Sequence, residues 1–166
     1  MGNSDITVEL AARGDIAGIL ELQEINMMEN GGKLSVRWSH EWFEAVISGM
    51  PIIVARDGGR VVGYVVSTPL IAQENGPIVQ AMLQAYPSSP GAYIYGPICV
   101  AGSHRQRGLA MAMFEELRKQ LPNREGFNFI RVDNTTSRNV HTRMGMREVA
   151  EFAQGDVAYV VVSYDR

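Results

Sequence analysis

Cysteine is nearly missing from this 166-residue sequence: Cys99 stands alone, which excludes an intramolecular disulfide and, beside nine methionines, fits a reducing compartment. Histidine is scarce as well. His40, His104 and His141 show no metal-ligand spacing with one another or with Cys99, so no metal is expected. No apolar run approaches the roughly 18 residues of a membrane span. The first six residues have no basic stretch leading into an apolar core, and Ile6 stands where myristoylation requires Ser or Thr. The expectation is therefore a cytoplasmic protein with no membrane partner. Phosphate-loop, dinucleotide-fingerprint and nucleophile-elbow motifs are all absent, which removes the usual supports for nucleotide hydrolysis, dinucleotide redox chemistry and elbow-type serine hydrolysis. A net charge of −3 argues against a general nucleic-acid binder, and no nucleic-acid partner is expected.

What is present is ordinary in bulk and uneven in detail. With 46% hydrophobic and 20% charged residues, the length suits one soluble domain over 1–166, with no repeats, low-complexity tracts or linkers. Yet Gly102–Arg147 carries nine basic residues against four acidic ones, on a chain that is acidic overall. That asymmetry favours a compact polyanionic ligand, although a solvated helix face explains individual arginines equally well.

Hydrophobic periodicity predicts the elements. Ile6–Leu10 reads as a first strand. Ile16, Ile19, Leu20, Gln23 and Met27 recur at helical spacing behind Asp15, and Ser39 can cap a second helix that places Trp42, Phe43, Val46 and Ile47 on a core-facing side. Residues 51–56 and 60–67 flank Asp57-Gly58-Gly59 as a β-hairpin. The long connection 68–91 contains an amphipathic helix (Ile78, Val79, Met82, Leu83, Tyr86) between Asn75-Gly76-Pro77 and a Pro-Ser-Ser-Pro turn. A strand over 93–100 is broken by Gly96-Pro97, a pair suited to an edge or a bulge. Ala110, Met113, Phe114, Leu117 and Leu121 form a helix ended by Pro122, followed by a strand over 127–132. A short helix runs from Asp133-Asn134 to Gly145, and two closing strands surround Gln154-Gly155-Asp156.

The candidate functional stretch is Ile98 to Ala110: strand end, polar loop, helix start. Backbone N–H groups at such a helix start lack partners and can hold an anion, with Arg105 and Arg107 adding charge. Cys99 itself has no histidine beside it in sequence and reads as a small buried strand residue rather than a nucleophile.

Arg105-Gln106-Arg107-Gly108-Leu109-Ala110 resembles the Arg/Gln-x-x-Gly-x-Gly/Ala acyl-CoA signature of the GNAT superfamily of N-acyltransferases. The stretch Asn134-x-x-Ser137-x-x-Val140-His141-x-x-x-Gly145-Met146 is similar to the family's Asn-x-x-Ala/Ser-x-x-Phe-Tyr-x-x-x-Gly-Phe segment. The resemblance covers nearly all the chain except 68–91. It implies an α/β fold with a mixed, mostly antiparallel twisted sheet flanked by helices, a bulged or splayed central strand, and an inserted helix between the third and fourth strands. It implies acetyl-CoA or another short acyl-CoA as co-substrate and a small-molecule or peptide amine as acceptor. Under it, the amides of Gln106, Arg107, Gly108, Leu109 and Ala110 meet the pyrophosphate, with Gly108 and Ala110 small to let it approach. The backbone of Ile98, Cys99 and Val100 pairs with the pantetheine arm and polarises the thioester carbonyl, an effect worth about 3 to 4 kcal/mol per donor in acyl transfer. Asn134 and Ser137 contact the same arm or simply cap the following helix. His141 falls where the family commonly has a tyrosine acid, and an imidazole there can donate to the departing sulfur or act as a base. Tyr93, Tyr95, Glu24 and Glu29 are candidates for the acceptor side. A non-catalytic acyl-CoA-binding sensor with the same fold is the alternative function. Related domains often pair, which leaves a homodimer open.

Overall fold

A computed structural model describes residues 5–73 and 76–164; Asn75 of the predicted connection lies outside them. In chain order the elements are β1 (Ile6–Leu10), α1 (Ile16–Ile25), α2 (His40–Gly49), β2 (Ile52–Asp57), β3 (Arg60–Pro69), α3 (Leu70–Gln73), α4 (Pro77–Ala85), β4 (Tyr93–Val100), α5 (Leu109–Gln120), β5 (Gly126–Arg131), α6 (Thr135–Arg143), β6 (Arg147–Gln154) and β7 (Val157–Tyr164). The seven strands pair in the order β1-β2-β3-β4-β5-β7-β6, a mixed and mostly antiparallel arrangement. The chain divides into two compact units, Met1–Ser67 with Gly96–Leu121 and Thr68–Tyr95 with Pro122–Arg166.

In the first unit, β2 pairs antiparallel with β1 and with β3. Ile52, Ile53, Val54 and Ala55 are all completely buried, the unbroken apolar run of a strand covered on both faces. Ile16 and Ile19 of α1 and Phe43 of α2 cover one face with Ile52 and Val54. The helix α2 begins where predicted, with the Ser39 hydroxyl accepting the Trp42 N–H at 3.1 Å. Phe43 is core, whereas Trp42 is half-buried and stacks on Trp38 with ring centroids 4.2 Å apart. The C-terminal half of β4 also belongs here. Pro97 follows Gly96 in a strand that is interior in the strand order, but it lies beyond Ile94, where the pairing of β4 with β5 ends, so its missing donor is not required by that ladder.

In the second unit, β4 runs parallel to β5 at Tyr93–Gly126 and Ile94–Phe127, and β5, β7 and β6 continue antiparallel. The predicted inserted helix is α4, with Gly76 as its N-cap and Pro77 in its first turn. Its Val79 and Met82 pack with Ile94, Phe127 and Val161. The connection behind α4 is pinned by Glu125, a carboxylate only 5% exposed. It accepts from the Tyr86 hydroxyl (2.6 Å), the Ser89 N–H (2.9 Å), the Ser89 hydroxyl (2.6 Å) and the Ser163 hydroxyl (2.9 Å). Burial pushes its pKa up, but those four donors outweigh burial and hold the carboxyl below its ordinary range. Gly126 follows because a Cβ there would stand 2.5 Å from the Tyr164 ring.

Candidate functional site

The predicted site residues fall in both units: Ile98, Cys99, Val100 and Arg105 to Ala110 in the first, Asn134, Ser137 and His141 in the second. In the first unit, β4 ends as the Ala101 N–H donates to the Val62 carbonyl at 2.8 Å, and a single 3-10 turn, Gly102–His104, leads into the loop. Gln106, Arg107 and Gly108 are exposed. Gln106 has φ 61°, a left-handed conformation that costs a non-glycine residue energy and is commonly kept at ligand clamps. Gly108 caps α5 at φ 75°, and nothing lies within 4 Å of where its Cβ would stand. Within the chain, therefore, glycine is required at 108 by backbone conformation and not by packing.

This helix start is left open by the sequence itself. Gly108 offers no side-chain cap, and the first turn of α5 contains no acidic residue, so its N–H groups have neither a side-chain acceptor nor a compensating charge. Leu109 turns its side chain into the core at 7% exposure and contributes only backbone outward. Arg105 departs from its expected part. Its Nε donates to the Val100 carbonyl at 3.2 Å and its NH2 to Asn26 Oδ1 at 2.8 Å, so it braces the loop against the end of α1. Asn26, buried at 6%, also donates from Nδ2 to the Leu22 carbonyl at 2.8 Å. No motif marks it; the one legible hint is an asparagine just past the last turn of a helix, a favoured terminating position. Cys99 is buried and its thiol is pushed up to about 11 by that burial, which suits packing and not nucleophilic attack.

In the second unit, Asn134 caps α6, its Oδ1 accepting the Ser137 N–H at 3.2 Å. One turn later His141 is 5% exposed, with Nδ1 2.7 Å from the Ser137 carbonyl oxygen. A carbonyl only accepts, so Nδ1 must carry the proton, and in the neutral ring Nε2 is then a bare acceptor. Burial holds the imidazole pKa below its ordinary value, against the opposing pull of the Ser137 bond. At neutral pH His141 is thus a proton acceptor through Nε2. The donor role expected for a tyrosine replacement is closed to it in this resting form. Its ring also meets Tyr95 edge-on, centroids 5.6 Å apart.

All four acceptor-side expectations meet contrary surroundings. Tyr93 and Tyr95 are completely buried, and the Tyr95 hydroxyl, its pKa driven far up by burial, lies 3.7 Å from the Met144 sulfur. Large aromatics on an interior strand went to the core. Glu24 is ion-paired with Arg37 at 2.9 Å, which lowers its pKa, and the same guanidinium pairs with Glu29. Neither carboxylate stands alone as a base.

An open helix start after an interior strand, and a buried histidine in the last turn of a capped helix, sit on an architecture that other proteins share. The acetyltransferase (GNAT) family model matches residues 19–146, and the chain belongs to that family. No curated protein matches it. Among solved structures, the N-acetyltransferase from Staphylococcus aureus Mu50 is similar at a TM-score of 0.69 and 18% identity, over 98% of this chain and 99% of that one. The ribosomal-protein-alanine N-acetyltransferase from Brucella melitensis is similar at 0.67 and 17% identity, over 96% and 99%. The Salmonella typhimurium yncA structure, which holds its cofactor acetyl-CoA, is similar at 0.67 and 16% identity, over 96% and 93%. Likeness at these identities establishes the fold; the family match supports acetyl transfer and acetyl-CoA use in general terms. Among the described residues no helix is long and apolar enough to cross a membrane.

Proposed function

We propose that the whole chain works as one N-acyltransferase domain that moves an acetyl group from acetyl-CoA to a primary amine, by direct attack within a ternary complex. The observation that carries this reading is the uncapped, charge-free start of α5 behind a left-handed Gly108. Backbone N–H groups from Gln106 to Ala110 hold the pyrophosphate, and the exposed Arg107 adds charge. Arg105 serves by bracing that loop on Val100 and Asn26. The backbone of Ile98, Cys99 and Val100 takes the pantetheine arm, and its amides stabilise the oxyanion. Asn134 caps α6, and the carbonyl of Ser137 fixes the tautomer of His141.

Acetyl-CoA supplies the activated acyl group. As the amine nitrogen bonds to the carbonyl carbon, its proton passes to His141 Nε2, and the imidazolium so formed delivers a proton to the departing sulfur. One residue thus performs both transfers in sequence, which removes the need for a separate tyrosine acid. The acceptor is a small-molecule or peptide amine, and the lowered histidine pKa keeps the base unprotonated at neutral pH.

The test is release of free thiol from acetyl-CoA with a panel of primary amines, beside a thermal-shift titration. Acetyl-CoA is expected to raise the melting temperature, and at least one amine to accelerate thiol release above the amine-free rate. Stabilisation without amine-dependent release would instead favour the acyl-CoA sensor, the alternative that the missing tyrosine motivates.

A further inference from the structure

A cavity of about 300 Å³ in the first unit plays no part in the reading above. Its lining is mixed, with Leu22 and Val61 beside Glu21 and Arg60, and Ser103, His104 and Asp57 stand on its wall. These three are joined in series: Ser103 Oγ lies 2.8 Å from His104 Nδ1, and His104 Nε2 lies 2.9 Å from Asp57 Oδ2. An ionised carboxylate only accepts, so Nε2 carries the proton given to Asp57. Nδ1 is then a lone pair aimed at the Ser103 hydroxyl. The result is a hydroxyl held against a base that a carboxylate orients, the arrangement by which serine nucleophiles are activated. Ser103 is exposed, whereas the side chains of His104 and Asp57 are 14% and 28% exposed, so the nucleophile is open and the base sheltered.

A simple clasp of the loop onto the β2–β3 turn would account for the Asp57–His104 bond. It does not account for Ser103 on the opposite ring nitrogen, nor for the cavity that this residue lines. Arg60, on the same wall, supplies a cation toward which a developing oxyanion can be drawn.

We propose that Ser103, His104 and Asp57 form a second acyl-transfer centre that hydrolyses small carboxylic esters. Ser103 Oγ bonds to the ester carbonyl carbon as its proton passes to His104 Nδ1. The carbon–oxygen bond to the alcohol breaks and the alcohol leaves with that proton, giving an acyl-serine. Water then attacks the acyl carbon and gives one proton to Nδ1; the bond to Oγ breaks, Oγ recovers the proton, and a carboxylic acid departs. Asp57 holds the imidazole in the required tautomer throughout. Ser103 and His104 lie inside the stretch Ile98 to Ala110 but are not among the residues assigned to acetyl-CoA, and Asp57 lies outside it, so substitutions can separate the two activities.

The experiment pairs two probes on the intact protein. Diisopropyl fluorophosphate is expected to modify Ser103, located by peptide mass spectrometry, and p-nitrophenyl acetate to be hydrolysed above the spontaneous rate. Ser103→Ala is expected to abolish the adduct and the protein-dependent hydrolysis while leaving amine-dependent thiol release from acetyl-CoA unchanged. His104→Ala is expected to lower hydrolysis about 100-fold. Ser103→Ala removes one exposed hydroxyl and keeps the test decisive even if His104→Ala does not fold. No adduct on Ser103, or equal hydrolysis by wild type and Ser103→Ala, would overturn the proposal.

Discussion

The two predicted site segments are built on opposite principles. In 105–110 the groups we propose to matter are backbone amides, the surface is exposed from 105 to 108, and Arg105 braces the loop through Val100 and Asn26. In 134–141 the group we propose to matter is one buried side chain, its Nδ1 2.7 Å from the Ser137 carbonyl oxygen and 3.4 Å from the Ser137 hydroxyl. A backbone site tolerates side-chain change except where conformation demands a particular residue; a buried side-chain site tolerates almost none. Matching motifs in a sequence conceal that difference, because both appear as letters at fixed spacing.

The contrast can be broken most severely at Gly108. Gly108→Glu places a bulky anion at the helix start, in a left-handed conformation that alone costs about 1 to 2 kcal/mol. Titration calorimetry is expected to find no acetyl-CoA binding in a variant that circular dichroism shows folded, and retained affinity would remove the loop from the site. Next in size is His141→Phe. Amine-dependent turnover should fall about 100-fold, as for the loss of one general base, with acetyl-CoA affinity unchanged; undiminished turnover would take His141 out of the reaction.

Stability separates a buried polar side chain from an exposed one more finely. Glu125→Gln takes the charge from a buried acceptor of four hydrogen bonds and should cost about 1.5 to 3 kcal/mol in urea unfolding. Arg107→Met, on the exposed loop, should stay within about 0.5 kcal/mol. The smallest effect is in pH dependence. His141 has a lowered pKa in the folded state, so the unfolded chain binds the proton more tightly. Stability from this group is complete above the unfolded value of about 6.5 and is lost as pH falls through the folded one. His141→Phe should flatten that part of the acid limb, and parallel curves for the two proteins would contradict the assigned burial.

Most of the architecture was legible because periodicity and punctuation agreed along the chain. The Ser39 and Asn134 caps, the Asp57-Gly58-Gly59 turn and the apolar stripe of α5 each appear where local residues call for them. Pro97 lies in an interior strand, so of the two places expected for it, an edge or a bulge, the edge is the one not taken. The role of Arg105 was illegible because it depends on Asn26, 79 residues away in sequence. The state of His141 was illegible for a related reason: spacing puts a histidine near a tyrosine's place, but only burial and the Ser137 carbonyl decide which nitrogen holds the proton. Position on the strand alone makes Tyr93 and Tyr95 candidates for ligand contact, and the core takes both.

The claim on which the proposed chemistry turns is that His141 is neutral with its proton on Nδ1. Nitrogen-15 spectra of histidine-labelled protein at pH 7, with the His141 signal assigned by comparison with His141→Phe, report this directly. The account predicts a protonated Nδ1 and an unprotonated Nε2. A proton on Nε2, or a fully protonated ring, would contradict it.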